Sequence, residues 1–451
     1  MRSPGLQSVV VCACVLLAVV SAVPPAAAQA PAPPALTVAQ AVATALDRHP
    51  SIAAAAKTVE AAQARVVQAK AIPVSVGVNA TAAVGNLAGG TPTGTDPTVS
   101  HNVNVGGSVL LYDGGLIAQQ VAQAEAGLQA AQFALDATRQ DIALAAARAF
   151  FQALRAARVV EAREAAVRST LEQVRQAEAL VRAGTAARAD ILTAQAAAAT
   201  AEVELIAARG QAELTQASLR NAMGLGLLQP FSLVEPGDPQ PVSITPEQAA
   251  AEAATARAEV KRAAADVRSS EAALRMAEIR AGILINVTAN AAVQLSPNPG
   301  QAGWSIGGSA SIPVFDGGKA KAAVDEARAN VAAARARAEA TTQQVQLQAF
   351  QTALTLRESV ARLSATRVAL AAAEEAARAA DGRYRAGVGT VLDVTIAQGT
   401  LVQARVNSVQ AFYDLHQAMA ALQRDLGRPV LGRQAGSPPY HSAQGRAGGG
   451  S

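Results

Sequence analysis

Cysteine occurs twice in 451 residues, at Cys12 and Cys14. Both fall within residues 1–28, which read as an export leader: Arg2, an apolar run from Val9 to Val20, then Ala26-Ala27-Ala28 as a small-residue cleavage site. Ala13-Cys14 has the form of a lipid-attachment site, but almost no apolar stretch precedes it. A mature chain without thiols excludes disulfides, cysteine nucleophiles and zinc–thiolate centres. Aromatic residues make up only 3% of the chain. That is poor material for a globular core, whereas abundant Ala, Gln, Arg and Glu suit long, close-packed helices.

Histidine is also scarce. His49, His101, His416 and His441 are scattered over different segments and form no ligand spacing. With no nucleophile–base motif either, the sequence supports no catalytic residue, no metal site and no cofactor. After the leader no run of 18 or more apolar residues remains, so no transmembrane helix is expected and any membrane span must be β. The net charge is only +4, with basic and acidic residues interleaved along helical stretches, so nucleic-acid binding has no support.

What is present is a duplication. Leu111-Tyr112-Asp113-Gly114-Gly115 returns as Val314-Phe315-Asp316-Gly317-Gly318, Arg182-Ala183-Gly184 with Asp190 returns as Arg385-Ala386-Gly387 with Asp393, and Gly224 returns as Gly427. Every pair is 203 residues apart, so a rigid element intolerant of insertions joins these landmarks. The expected division is a leader at 1–28, a first repeat at 29–226 (helix, β-hairpin, long helix, return helix), an equatorial linker at 227–243, a second repeat at 244–430 and a disordered tail at 431–451.

The connecting element is a helix. Between Leu116 and Val181 there is no Pro and only one Gly, and Val121, Leu128, Leu135 and Ile142 stand seven apart, as do Val160, Val167, Val174 and Val181 after a phase shift. Sevenfold spacing keeps one seam against a partner, so a coiled-coil helix of about 100 Å is predicted. Val324, Val331, Val345, Leu363 and Leu370 continue the seam in the second repeat. Shorter helices are predicted near Ala39–Lys70, Asp190–Ala222, Thr245–Arg280 and Asp393–Leu426. The second and third of these together match the long helix in length, which suggests that they stack end to end beside it.

Other segments alternate with period two. Val74, Val76, Val78, Ala80, Ala82 and Val84 alternate with polar residues, as do Val103, Val105, Val109 and Leu111. The second repeat does the same from Ile285 to Leu295 and from Trp304 to Ile312. Strands of about 9–11 residues with one apolar face suit a bilayer. Gly89-Gly90-Thr91-Pro92 and Ser296-Pro297-Asn298-Pro299-Gly300 are the expected hairpin loops. Four strands cannot close a barrel, and open edges in lipid leave backbone groups unpaired at several kcal/mol each. Three chains would give twelve strands around an open lumen, so a homotrimer is expected. The fold class is an α+β membrane protein with an internal duplication and a lipid-facing band in which Tyr112, Trp304 and Phe315 form an interfacial girdle.

Taken together and in this order, the duplication, the two aromatic-Asp-Gly-Gly junctions, the two Arg-x-Gly tips with Asp six after the Gly, and Leu46 with His49-Pro50 resemble the TolC-like outer-membrane efflux proteins of Gram-negative bacteria. The resemblance covers roughly Leu36 to Pro429. It implies a trimeric 12-stranded barrel in the outer membrane, continued into the periplasm by an antiparallel coiled-coil tunnel that docks an adaptor protein fed by an inner-membrane pump. The cargo would come from an efflux pump or a type I exporter, between which the sequence does not choose. The competing class is a structural or adhesive periplasmic coiled coil, which has no need of four amphipathic strands.

Within that frame Asp113 with Gly114 and Gly115, and Asp316 with Gly317 and Gly318, are read as strand-to-helix junctions, the Asp acting as N-cap. Gly184 and Gly387 cap the ends of the long helices, and Thr390 with Asp393 has the pattern of a capping box. Asp190 and Asp393 would line the channel entrance as a ring attracting cations. The resemblance further implies that the Arg182-Gly184 and Arg385-Gly387 tips dock the adaptor. It also implies that Tyr384 hydrogen-bonds Asp190 at the entrance. The chain departs from the family pattern at Gly389, where a basic residue is usual, and at Ile396, where an acidic one is.

Overall fold

The computed structural model describes residues 35–71, 74–85, 98–226, 231–240, 243–282, 286–295, 303–311 and 315–430. The leader, both expected hairpin loops and the expected tail lie outside them. In chain order the elements are β1 (Ala35–Leu36), α1 (Val38–Arg48), α2 (Pro50–Lys70), β2 (Val74–Gly85), β3 (Thr98–Tyr112), α3 (Leu116–Arg182) and α4 (Arg188–Ala222). Then follow β4 (Ser232–Leu233), α5 (Pro246–Ala256), α6 (Ala258–Ala281), β5 (Asn286–Leu295), β6 (Gly303–Ser311), α7 (Lys319–Arg385) and α8 (Val391–Asp425).

Both long helices span 67 residues, about 100 Å at 1.5 Å per residue. The seam residues Val324, Val331, Val345 and Leu363 of α7 are buried. In α3 the seam side chains are half-buried and the deepest positions belong to alanines such as Ala146, Ala147 and Ala177. Small side chains let α3 approach neighbours on both flanks, and it packs against α2, α4, α6 and α8.

The four longer strands form one antiparallel sheet in the order β2-β3-β5-β6. β5 and β6 have 10 and 9 residues, as expected, whereas β2 and β3 run to 12 and 15. The register sorts residues into alternating rows. Val78, Val105, Val293 and Trp304 are paired in sequence across the sheet, and the adjacent row is Asn79, Asn104, Gln294 and Gly303. The apolar row is exposed, with Trp304 at 77%. An exposed apolar row on a sheet built from two such hairpins suits lipid rather than water.

Three predicted helical features are corrected. The helix expected over Ala39–Lys70 is two helices, because Pro50 lacks the N–H needed to continue α1 and instead takes the first position of α2. The helix expected over Thr245–Arg280 also breaks, at Arg257, whose backbone is extended (φ −66°, ψ 139°) without any proline. The stacking is different too. Gly224, beyond α4, lies against the backbone of Arg48 and His49, and Gly427, beyond α8, lies against Ala256. The α4 end therefore meets the start of α2, and the α8 end meets the start of α6. This pairs α2 with α4 and α6 with α8 as columns, in place of the predicted α4 with α6.

α4 has the length and composition of a membrane span. Glu202 and Glu204 interrupt its apolar run, and Glu204 pairs with Arg163 of α3 while Arg209 pairs with Glu164. These ion pairs join α4 to α3.

Candidate functional site: the junctions, the helical tips and the channel wall

At each end of the sheet-to-helix path the chain must turn sharply. Gly115 and Gly318 occupy the N-cap positions of α3 and α7 with φ of 88° and 87°, a conformation that costs side-chain-bearing residues about 1–2 kcal/mol. Gly114 and Gly317 precede them with φ of 68° and 66°. Asp113 and Asp316, expected to be the N-caps, instead sit two residues ahead of the cap position, which the glycines occupy. Asp113 accepts from the backbone N–H of Gly115 and of Ile117, and Asp316 from Gly318 (2.9 Å) and Ala320 (2.6 Å). Each carboxylate thus satisfies a helix N–H that the glycine cap cannot.

At the opposite end α3 and α7 stop in the same motif. Gly184 N–H donates to the Val181 carbonyl and Thr185 N–H to Leu180, while Gly387 N–H donates to Tyr384 and Val388 N–H to Arg383. These are Schellman closures, with Gly184 at φ 75° and Gly387 at φ 74°. Arg182 and Arg385 are the last residues of their helices, where cations complement the helix dipole. Arg385 is held by Asp381 at 2.8 Å.

The returning helices differ. Thr390 and Asp393 form a full capping box, in which Thr390 Oγ1 accepts from Asp393 N–H (3.2 Å) and the Asp393 carboxylate accepts from Thr390 N–H (3.1 Å). The Thr390 hydroxyl also donates to that carboxylate (2.8 Å), and this bond first, then the Thr390 N–H, holds the Asp393 carboxyl below its usual range. Asp190 occupies the first turn of α4, but Ala187 stands where the second repeat has Thr390 and supplies no side-chain cap. Tyr384 is buried, and its hydroxyl has no hydrogen-bond partner among the described residues. The hydrogen bond expected between Tyr384 and Asp190 is therefore not formed. Burial, and then the field of Asp190, push the phenol above its ordinary value. At Gly389, where the family pattern has a basic residue, a Cβ would lie 3.1 Å from both Arg383 Cβ and Tyr384 N, so a side chain there would require those neighbours to give by a few tenths of an ångström.

Midway along the helices the sequence had concealed two clusters. Arg257, 2% exposed, donates to Glu259 (2.6 and 3.1 Å) and to Gln348 (2.9 Å) and faces Asp425 at 3.4 Å. Arg424 joins Asp425, Glu259 and Asp141 to the same group. Nearby, Glu235 of the linker accepts from Arg158 Nε (2.5 Å) and Tyr413 Oη (3.0 Å). The Arg158 bond holds the Glu235 carboxyl low, while burial and Glu235 push the Tyr413 phenol up to about 12. No sequence signal flagged Arg257, because the helix break at which it sits contains no proline. Among the described residues no group of three or more His, Cys, Asp or Glu is placed to hold a metal.

A parallel pair of wall columns joined to an amphipathic sheet is matched by the family model described as "Outer membrane efflux protein", over residues 41–225 and again over 247–428. The chain belongs to that family. The protein is 28% identical over 348 residues to the outer membrane efflux protein BepC of Brucella suis biovar 1 (strain 1330), covering 76% of this chain and 75% of BepC. Its fold is similar to that of the outer membrane protein VceC from Vibrio cholerae (TM-score 0.75, 22% identity, covering 87% and 96% of the two chains). It is likewise similar to the MtrE outer membrane channel of Neisseria gonorrhoeae in its open state (TM-score 0.70, 19% identity, covering 87% and 89%). This efflux protein is an outer-membrane protein.

Proposed function

We propose that three copies of this chain close a 12-stranded barrel and a continuous helical tunnel, forming the exit duct through which substrates pass from an inner-membrane pump and its periplasmic adaptor to the exterior. The observation that carries this reading is the open sheet. Among the described residues β2 pairs only with β3 and β6 only with β5, so both edges offer unpaired backbone groups at membrane depth. The helical wall is open in the same sense. Exposed Leu192, Val203, Ile206 and Leu214 of α4, and exposed Leu347 and Val368 of α7, give both flanks apolar surface to cover.

Asp190, Asp393 and Tyr384 then belong to the channel entrance, and the Arg182-Gly184 and Arg385-Gly387 tips to the adaptor-docking end. The chain divides as a leader, two repeats joined by an equatorial linker, and a tail. A purely structural coiled coil would have no use for the sheet. The test is extraction from outer membranes in mild detergent, followed by mass measurement and planar-bilayer recording. A trimer with discrete conductance is expected, and a monodisperse monomer retaining its full β signal would overturn the reading.

A further inference from the structure

The offset of 203 governs packing as well as sequence. Adding it to the bounds of α3 (116–182) gives those of α7 (319–385), and adding it to those of α4 (188–222) gives those of α8 (391–425). The packing of α3 on α2 and α4 therefore has its counterpart in the packing of α7 on α6 and α8. α3 also packs on α6 and α8 from its other side. The counterpart of that second seam would set α7 against α2 and α4, whereas the principal helix contacts of α7 are with α5, α6 and α8.

The residues for such a seam are present and uncovered. On α8, Val409 and Tyr413 pack into the core that holds Phe150 and Phe151 of α3, and His416 stacks on Phe151 with 5.1 Å between centroids. Val406 continues that stripe one step earlier, at the same three- and four-residue spacing. The counterparts of Val406 and Val409 on α4 are Val203 and Ile206. Val406 is 5% exposed but Val203 66%, and Leu144 of α3 is 8% exposed but its counterpart Leu347 of α7 50%. Leu347, Leu354, Ala361 and Val368 stand seven apart along α7, a seam without a partner helix in its own chain. Apolar residues left bare where their repeat counterparts are buried mark a face that another surface covers.

We propose that α7 of one copy lies on α4 of the next in the register of α3 on α8, and that this seam between copies parts more readily than the one within the chain. The seam presupposes the assembly of copies proposed above and names the surfaces that form it. Because α7 and α4 are different surfaces, the contact is head-to-tail and closes a ring rather than a two-fold pair. The register also fixes which residues meet. The Phe151–His416 stack becomes Leu354 against Glu213, the Arg155–Asp414 pair (3.4 Å) becomes Glu358 beside Gln211, and the Arg424–Asp141 pair (2.6 Å) becomes Asn221 beside Gln344. Neither ion pair survives the change, and Glu358 pairs instead with Arg362 of its own helix. What remains is the apolar stripe, without the charges that tie α3 to α8.

The test uses exposed positions in a chain whose only cysteines fall within residues 1–28. Gln211→Cys and Glu358→Cys, placed together in the full-length protein and treated with a short bismaleimide in outer membranes, should join copies into dimers and trimers on denaturing gels, and neither single variant should. A dimer from Gln211→Cys alone would mean a two-fold α4 contact and overturn the seam. A trimer that the paired cysteines fail to cross-link would overturn the seam while leaving the trimer standing, whereas a monomer would overturn both. In rising denaturant the parent trimer should separate before its helical signal falls, and loss of both in one step would refute the weaker seam. Gln211→Arg, facing Glu358 across the seam, should move separation to higher denaturant, and that gain should vanish in the Glu358→Gln background. No gain, or an equal gain in both backgrounds, would overturn the register.

Discussion

Gly427 and Ala256 touch backbone to backbone: a Cβ at position 427 would lie 3.1 Å from both the carbonyl carbon and oxygen of Ala256. The same relation holds 203 residues earlier, where a Cβ at Gly224 would meet the Arg48 carbonyl oxygen at 3.0 Å. Two helix columns are thus built by the same device, a left-handed glycine that lets one helix end rest on the start of another.

This contact separates two kinds of glycine. Gly387→Ala should cost only left-handed strain, about 1–2 kcal/mol, since nothing lies within 4 Å of its Cβ position. Gly427→Ala adds a backbone collision to nearly the same φ, 69° against 74°. Thermal unfolding of the purified protein should therefore show a clearly larger loss for Gly427→Ala. Equal losses would mean that the columns do not bear on each other.

Among the described residues Arg257, at the α5–α6 break, is the one arginine or lysine that is almost wholly enclosed. Replacing it with Ala leaves Arg424 as the remaining partner of Glu259 and Asp425, so the loss should be clear but below the roughly 3–5 kcal/mol usual for a buried charge left wholly unpaired. Arg378→Ala, at a 73%-exposed ion pair with Glu375, should change stability by less than about 1 kcal/mol. Chemical denaturation of both variants checks the contrast.

The entrance assignment makes an electrical prediction. Asp190 and Asp393, gathered by threefold symmetry, would act over distances comparable to the Debye length of about 8–10 Å. Replacing both with Asn keeps an acceptor for the Thr390 capping box while removing the charge. Planar-bilayer recordings should show reduced cation preference and weaker block by multivalent cations. Unchanged selectivity at normal trimer yield would reduce these residues to helix caps.

Register is the last test. Insertion of three residues between Arg163 and Glu164 would rotate the rest of α3 by most of a turn and separate Arg163 from Glu164, which bond the same partner helix through Glu204 and Arg209. Export activity and outer-membrane assembly should be lost, whereas the same insertion within residues 89–94 should be tolerated as a loop change. Comparable tolerance at both places would contradict a continuous helical wall.

The sequence by itself determined the duplication, the two long helices, the four strands and the Schellman glycines at Gly184 and Gly387. Each of these is written in spacing along the chain: sevenfold for a seam, twofold for a sheet face, and a constant 203 for a repeat. Tertiary structure alone decided which short helices share a column, because length matches α4 to α6 as readily as to α2, and only the glycine contacts distinguish them. It also decided that Tyr384 leaves Asp190 unbonded, and that Arg257 breaks a helix with no proline in sight. Arg257 reaches Gln348 across 91 residues and Arg424 reaches Asp141 across 283. No local pattern records such pairs, since a buried charge is placed by whatever distant partner removes its desolvation cost.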